Sequence, residues 1–306
     1  MRDAAPARWS SPIQRIRLEG AGSRRFLHGQ SSQAIELAPA GACLPTCLIS
    51  PTARMRGLAL VRLDATGADL LLLAGDGTAV HQALDRVLFP ADQVRLSPPQ
   101  PAQLLRWCGT PVPAADAANP NLLQPGVDLG AGAEQPAWLQ QPDEPLPAWL
   151  EALPELPPLE VERRRLRHGW PAAPGELNDD TNPFELGLAA WVSLNKGCYV
   201  GQETLAKLAT YDGVKQQLRS WRAERTGPAA AGACAPGTTL TTSAGERAGV
   251  ITSALAGPDG LEGLALVRRQ ALGETQLLAA GSTGEAIALQ ISKPAGFVEP
   301  PVGAGR

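Results

Sequence analysis

The chain lacks several features that would announce a function. Aromatic residues make up only 4% of it, so Leu, Ala and Val must carry the core. It has three histidines (His28, His81 and His168), none with another at metal-ligand spacing, which argues against zinc hydrolases and histidine-relay catalysis. Five cysteines, an odd number in 306 residues, do not suit a disulfide scaffold and fit a reducing compartment. No sign of charge dominates. The 27 Lys and Arg face 30 Asp and Glu, a net charge of −3, which excludes a general basic coat for nucleic acid and leaves room for a local patch. No apolar run approaches the ~20 residues of a membrane span. The first residues carry Asp3 and no apolar stretch, so no secretory signal and a cytoplasmic location are expected.

What the chain does have in quantity is glycine (32) and proline (29), with enough hydrophobic residues, 44%, to bury a core. They are unevenly spread. Residues 97–158 hold 14 of the 29 prolines, and one basic residue (Arg106) against seven acidic ones. The expected organisation has four parts: 1–96, an α+β region; 97–158, Pro-rich and acidic; 159–222, a return to mixed sequence; and 223–306, a small β-barrel.

Alternation predicts a strand over 13–19; the apolar run 43–50 reads as β with Pro45 at an edge or bulge, and 57–64 and 69–73 read as two strands joined by a hairpin around Ala65-Thr66-Gly67. Ser23 suits the N-cap of a helix carrying Phe26, Leu27 and Ile35. A second helix starts near Asp76, with Val80, Leu84, Val87 and Leu88 on one face and Pro90 as its stop. Leu104–Cys108 reads as a strand and Pro147–Leu153 as a short helix with Pro at N1. Beyond residue 237, four strands (249–255, 261–269, 276–280 and 285–291) are separated by turns such as Gly257-Pro258-Asp259-Gly260. The pattern is α+β with an antiparallel sheet.

The most informative stretch is Lys196-Gly197-Cys198-Tyr199-Val200-Gly201-Gln202-Glu203. Two glycines bracket a cysteine and permit a sharp turn or a close approach to a ligand. Gln202 and Glu203 open a helix through Leu205 and Leu208. A thiol just before a helix N-terminus, two residues from a lysine, gains thiolate character and can serve as nucleophile, redox group or soft-metal ligand. Cys43 and Cys47 read as core strand cysteines, because no second Cys or His pair completes a metal site. The Glu162–His168 run (ERRRLRH) is locally basic. It reads as a solvated strand face or as a contact for RNA or a polyglutamate tail.

The octapeptide matches Lys-Gly-Cys-aromatic-x-Gly-Gln-Glu, and the chain on that basis resembles the YgfZ-type folate-binding proteins. Other segments extend the resemblance: Arg165-Leu166-Arg167-His168-Gly169-Trp170-Pro171, Thr181 to Leu188 (TNPFELGL), Phe26-Leu27-His28-Gly29-Gln30, Ser50-Pro51-Thr52-Ala53-Arg54, and Gly249 to Ser253. The likeness runs from about residue 13 to 293, is weakest across 97–158, and at Tyr211 to Gln216 is most similar to cyanobacterial and plastid members. It implies the architecture of the glycine-cleavage aminomethyltransferase (T-protein): a ring of α+β domains around a folate channel, with a C-terminal β-barrel. Residues 97–158 would then be a trimmed, irregular second part of the ring.

The resemblance also implies a tetrahydrofolate-binding accessory protein in iron–sulfur cluster assembly or repair, indirectly supporting tRNA thiomodification. Its partners would be folate and, transiently, iron–sulfur enzymes or assembly proteins, with no membrane and no direct contact with nucleic acid. Cys198 and Lys196 are the implied catalytic pair, with Gly197, Tyr199, Gly201, Gln202 and Glu203 completing the motif. Glu185 is the candidate to hold the pterin, since a carboxylate pairs with a ring N–H and its neighbouring amine. Arg165 and Lys215 are candidates for the tail carboxylates. Trp191 either packs on the bound ring or belongs to the core.

Three departures from the family pattern matter. Lys207 stands where an arginine is usual, Ala53 replaces a glycine and so speaks against a tight turn of positive φ, and Arg54–Arg62 contains no carboxylate. The last weakens the alternative reading, folate-dependent aminomethyl or one-carbon transfer, which needs a positioned carboxylate to activate the folate amine. A pure binding module is the third reading.

Overall fold

The computed structural model describes residues 5–131, 134–224, 227–280 and 286–303. The chain forms two compact units whose segments interleave. The first comprises Met1–Val161 and Ala190–Thr204, the second Glu162–Ala189 and Leu205–Arg306.

The first unit is built on an antiparallel sheet. Its strands are β1 (Ala7–Glu19), β2 (Cys43–Ile49), β3 (Met55–Leu63), β4 (Gly67–Gly75), β5 (Arg95–Leu96), β6 (Gln100–Cys108), β7 (Leu122–Leu123) and β8 (Ala137–Gln140). They lie in the order β2-β3-β4-β1-β6-β8-β7, with β5 also paired to β1. Helices α1 (Ser23–Gln30) and α2 (Gly77–Asp85) supply Phe26, Leu27, Val80 and Leu84 to a core shared with Ile16, Leu18, Val61 and Leu70 of the strands. Asp76 caps α2, accepting from the Thr78 and Ala79 amides at 2.9 and 3.1 Å.

The other side of the alternation in β1, β3 and β4 is charged. Asp69 is fully buried there and accepts from Arg15 at 2.8 Å and Arg62 at 3.1 Å, with Arg17 3.6 Å away. Such a carboxylate is tolerable inside a protein only because several donors satisfy it.

Several expectations are corrected here. Ser23 is the first residue of α1, not its cap: Gly22 holds that position, and the Ser23 hydroxyl donates backwards to Gly20 O at 2.9 Å. Ile35 is buried but lies beyond the helix, and Val87 is 40% exposed because α2 ends at Asp85. Pro147 precedes α3 (Ala148–Glu151) instead of starting it. The compositional boundary at 96/97 is not a boundary of the fold. β6 pairs with β1 from Ala7↔Cys108 to Arg15↔Gln100, and Trp107 and Trp149 meet edge to face at 5.1 Å in a core with Trp138 and Leu150. Proline and acidic residues fill the turns of this stretch, while its few periodic residues are the ones that pack.

Helices α4 (Pro158–His168) and α5 (Gln202–Thr210) run across the division between the units. The second unit continues with β9 (Gln216–Ala223), α6 (Pro228–Ala233), β10 (Thr239–Thr241), β11 (Arg247–Gly257), β12 (Gly260–Arg268), β13 (Gln276–Ala280) and β14 (Ala286–Ser292). The strands close into a barrel in the order β10-β11-β12-β9-β14-β13, so the barrel begins before residue 223. Trp221 fills its core with Leu240, Ile251 and Leu289, and the indole N–H donates to Leu264 O at 3.1 Å. The expected β11–β12 hairpin turns at Gly257–Gly260, and Glu285, expected in a strand, lies outside the described residues. Among the described residues no helix is long and apolar enough to cross a membrane.

Candidate functional site

The segment Ala190–Thr204 returns the motif to the first unit, where hydrogen bonds fix much of its backbone. The Ser193 amide donates to Ser32 O at 2.8 Å and the Val200 amide to Gly29 O at 3.1 Å. Gln202 spans the turn from inside: its Oε1 accepts from the Tyr199 amide at 3.3 Å, and its Nε2 donates to Lys196 O at 3.2 Å. Lys196 closes the loop onto α1. Its Nζ donates to Ser31 O at 2.7 Å, to Gln33 O at 2.8 Å and to His28 O, and sits 4.4 Å from the centre of the Tyr199 ring. Those carbonyls lie at or just past the negative end of the helix, where an ammonium is favoured. Burial pushes the Lys196 ammonium down to about 7, and the three acceptors oppose that shift.

Gly201 is required for a different reason. Its φ is +79°, and a Cβ there would stand 2.6 Å from Ser50 O and 2.8 Å from Ile49 Cδ1. The motif thus rests on both the Phe26–Gln30 and the Ser50–Arg54 segments singled out in the sequence. Ala53 corrects an expectation in the same turn. Its φ is +59°, so the left-handed turn is kept without glycine, with Ala53 fully buried and its amide on Ser50 O at 2.8 Å.

Gly197 and Cys198 are exposed. A Cβ on Gly197 would meet only His28 Nε2, at an ordinary 3.5 Å. Cys43, Cys47, Cys108 and Cys234 are buried, so Cys198 is the exposed thiol among the five. Burial pushes the Cys43 thiol up to about 12, and Cys47 is raised for the same reason; both behave as core residues. Trp191 is buried, and its carbonyl accepts from the Ser32 hydroxyl at 2.7 Å. Tyr199 is buried with its hydroxyl unpaired, so the motif uses it as a ring. Glu203 is exposed at the start of α5.

The other candidates belong to the second unit. Glu185 is 5% exposed and closes a capping box: its Oε2 accepts from the Asn182 amide at 3.0 Å, while Asn182 Oδ1 accepts from the Phe184 and Glu185 amides at 3.0 and 3.1 Å. The Asn-x-x-Glu spacing was the sequence signal for this. The Leu218 amide ties the same turn to β9 through Glu185 O at 2.8 Å.

Arg165 spends its five N–H groups on the protein: Glu162 at 2.8 Å twice, Trp170 O at 2.8 Å, Glu176 at 3.4 Å and Ser253 Oγ at 2.9 Å. Burial opposes its charge, but Glu162 and Glu176 hold its pKa above the ordinary value. A folate tail would have to displace one of these partners, so Arg165 is a structural residue here. Glu176, which no motif in the sequence marks, is fully buried and accepts from Ser253 Oγ at 2.8 Å and the Ala172 amide at 3.0 Å. The basic run 162–168 lies on α4, correcting the reading of a strand face. Lys215 is exposed, and its carbonyl accepts from the Arg269 amide at 2.8 Å. Among the described residues no cluster of His, Cys, Asp and Glu forms a metal site.

No model of a known protein family matches the chain. It is 30% identical over 287 residues to a chloroplastic protein of Arabidopsis thaliana whose name assigns it, provisionally, to the transferases. That alignment takes in 85% of this chain and 65% of the relative, so the chain spans less than two thirds of the relative's length. Among solved structures it is similar to the glycine cleavage system aminomethyltransferase T of Bartonella henselae, with a TM-score of 0.72 and 18% identity, covering 98% of this chain and 88% of that one. The two units therefore carry the fold of aminomethyltransferase T, an antiparallel α+β region with a closed six-stranded barrel.

Proposed function

We propose that the chain binds tetrahydrofolate or a related folate and acts as an accessory factor in iron–sulfur cluster assembly or repair, with Cys198 as its working thiol. The observation that carries this reading is the motif loop. Lys196, Gln202 and Gly201 spend their chemistry on fixing the backbone, and the one reactive group left at the surface is the Cys198 thiol. Lys196 is in this reading a positioning residue.

On the folate side, the donor set of the second unit suits the ligand. Glu185 is a buried carboxylate already oriented by the Asn182 amide, the form in which a pterin N–H and amine are accepted. Lys215 is an exposed cation suited to a tail carboxylate. A single thiol cannot hold a stable cluster, which takes about four protein ligands, so any cluster at Cys198 draws its other ligands from a partner. Arg54–Arg62 contains no carboxylate to activate a folate amine, which counts against aminomethyl transfer. The fold itself supports either chemistry, since function resides in the site.

The test is complementation of a strain lacking such a factor. Cys198→Ser is expected to fold with unchanged stability and to fail to complement. Complementation at the wild-type level would overturn the role of the thiol. Turnover of an aminomethyl-lipoyl donor with tetrahydrofolate would overturn the choice between the two chemistries.

A further inference from the structure

Among the described residues, two carboxylates, Asp69 and Glu262, are each met by three arginines, and they differ in what is left over. Asp69 is buried, and its arginines have second partners: Arg17 on Asp64, Arg15 on Gln141, Arg62 on Pro120 O. That network is closed. Glu262, on the outer wall of the barrel, is met by Arg163 Nε at 2.7 Å, Arg167 Nε at 3.3 Å and Arg222 Nη2 at 3.3 Å. Here the side chains of Arg167 and Arg222 are 52% and 64% exposed. Burial favours the neutral acid, but the three guanidiniums hold the Glu262 carboxyl below its ordinary value, so it contributes one negative charge against three positive ones.

The surplus borders an open space. Arg167 and Arg222, with Lys293, line a cleft of about 280 Å³ whose floor includes Ser220 and Ser292, directly opposed on β9 and β14. Lys293 is half exposed and pairs with Glu299 at 2.5 Å. Around this cleft Arg163, Arg167, Arg222 and Lys293 face Glu262 and Glu299; Glu224 and Asp259, farther along, balance the charge over the whole space, so the positive excess is confined to the Arg167, Arg222 and Lys293 end. An adjoining cleft of about 450 Å³ shares Arg167, Arg222 and Glu262 and extends to Glu224 and Asp259. One end of the combined space is thus rich in forked N–H donors, and the other in carboxylate acceptors. Arginine forks match the oxygens of a phosphoryl group, and carboxylates accept from hydroxyls.

We propose that this space binds a small phosphate monoester, its phosphoryl group seated among Arg167, Arg222 and Lys293 and its hydroxyl-bearing body lying toward Asp259 and Glu224. The site belongs to α4 and the barrel alone and is independent of the folate reading.

The experiment is calorimetric titration of the full chain with ribose 5-phosphate, inorganic phosphate and ribose, with thermal melts confirming that each variant folds. Ribose 5-phosphate is expected to bind saturably and more tightly than inorganic phosphate, and ribose not at all. Affinity is expected to fall on the order of tenfold or more in the Arg167→Gln/Arg222→Gln double variant. It is expected to rise in Glu262→Gln, which removes the competing carboxylate. It is also expected to be higher at about pH 7.5 than at about pH 5.5, because the phosphoryl group loses its second proton near pH 6. No saturable binding, or equal affinity in a folded double variant, would overturn the site. Inorganic phosphate binding as tightly as the ester would overturn recognition of the body.

Discussion

The motif loop of the first unit and the Asn182–Glu185 turn of the second both use polar side chains to satisfy backbone groups that no helix or strand reaches. They do so with different results. In the turn, the carboxylate that accepts the Asn182 amide is itself the group proposed to meet the ligand, and it is buried. In the loop, the fixing groups are Lys196 and Gln202, and the group proposed for chemistry is a neighbour, Cys198, which is exposed. Recognition by a carboxylate benefits from burial, which strengthens its hydrogen bonds. A thiol must reach its partner, so its loop is held by other residues.

If the loop is the more heavily braced of the two, breaking it must cost more. Gly201→Val is expected to have the largest effect. A branched side chain at φ +79°, against Ser50 O, should cost about 3 kcal/mol in urea unfolding, whereas Gly197→Ala, in the same loop, should cost nothing measurable. Lys196→Met leaves three carbonyls without their donor and should cost about 2 kcal/mol, and it should also change the rate at which Cys198 reacts with a thiol reagent. Asn182→Ala removes the acceptor of two amides in the turn and should cost about 1 kcal/mol. A larger loss for Asn182→Ala than for Lys196→Met would reverse the comparison.

The smaller effects sharpen it. His28 Nδ1 accepts from the Ile35 and Glu36 amides at 3.3 and 3.1 Å, which a doubly protonated ring cannot do. Burial and then Lys196 lower its pKa from the ordinary 6.5. The folded value lies below the unfolded one, so the native state holds fewer protons. The contribution is full above pH 6.5 and is lost as the pH falls through and below it. The stability difference between wild type and His28→Leu should therefore shrink on acidification, and a pH-independent difference would contradict this. Ala53→Gly should also change stability little. The gain from relieving a left-handed alanine, about 1 kcal/mol, nearly offsets the loss of a buried methyl of about 0.8 kcal/mol.

Much of the fold was legible in the sequence, for local reasons. Strands β2 to β4 and β11 to β13 show in their apolar patterning and turn residues, and Asp76 announces α2 as a cap should. What was not legible depends on distant segments. That Ala190–Thr204 packs with the first unit leaves no local periodicity. The run ERRRLRH looks like a charged strand face because a single apolar residue, Leu166, interrupts its charges, and two of the acids its arginines meet, Glu262 and Glu176, come from elsewhere in the chain. Composition misplaced 97–158 because proline marks its turns and says nothing about β6 pairing with β1. At the site, the helix opened by Gln202 and Glu203 was legible from the motif, and the exposure of Cys198 was not. Nor was the saturation of Arg165, since only its two bonds to Glu162 are local, and the three to Trp170, Glu176 and Ser253 become visible when the chain is folded.

The central claim is that a folate is held through Glu185 while Cys198 serves a separate step. The most direct measurement is calorimetric binding of tetrahydrofolate to wild type, Glu185→Gln and Cys198→Ser. Glutamine still serves a capping box, so the turn should survive in Glu185→Gln, which a melt would verify. The expected result is saturable binding by wild type and Cys198→Ser alike, and a loss on the order of tenfold or more in Glu185→Gln. No binding by wild type, or binding that Glu185→Gln leaves unchanged, would contradict the account.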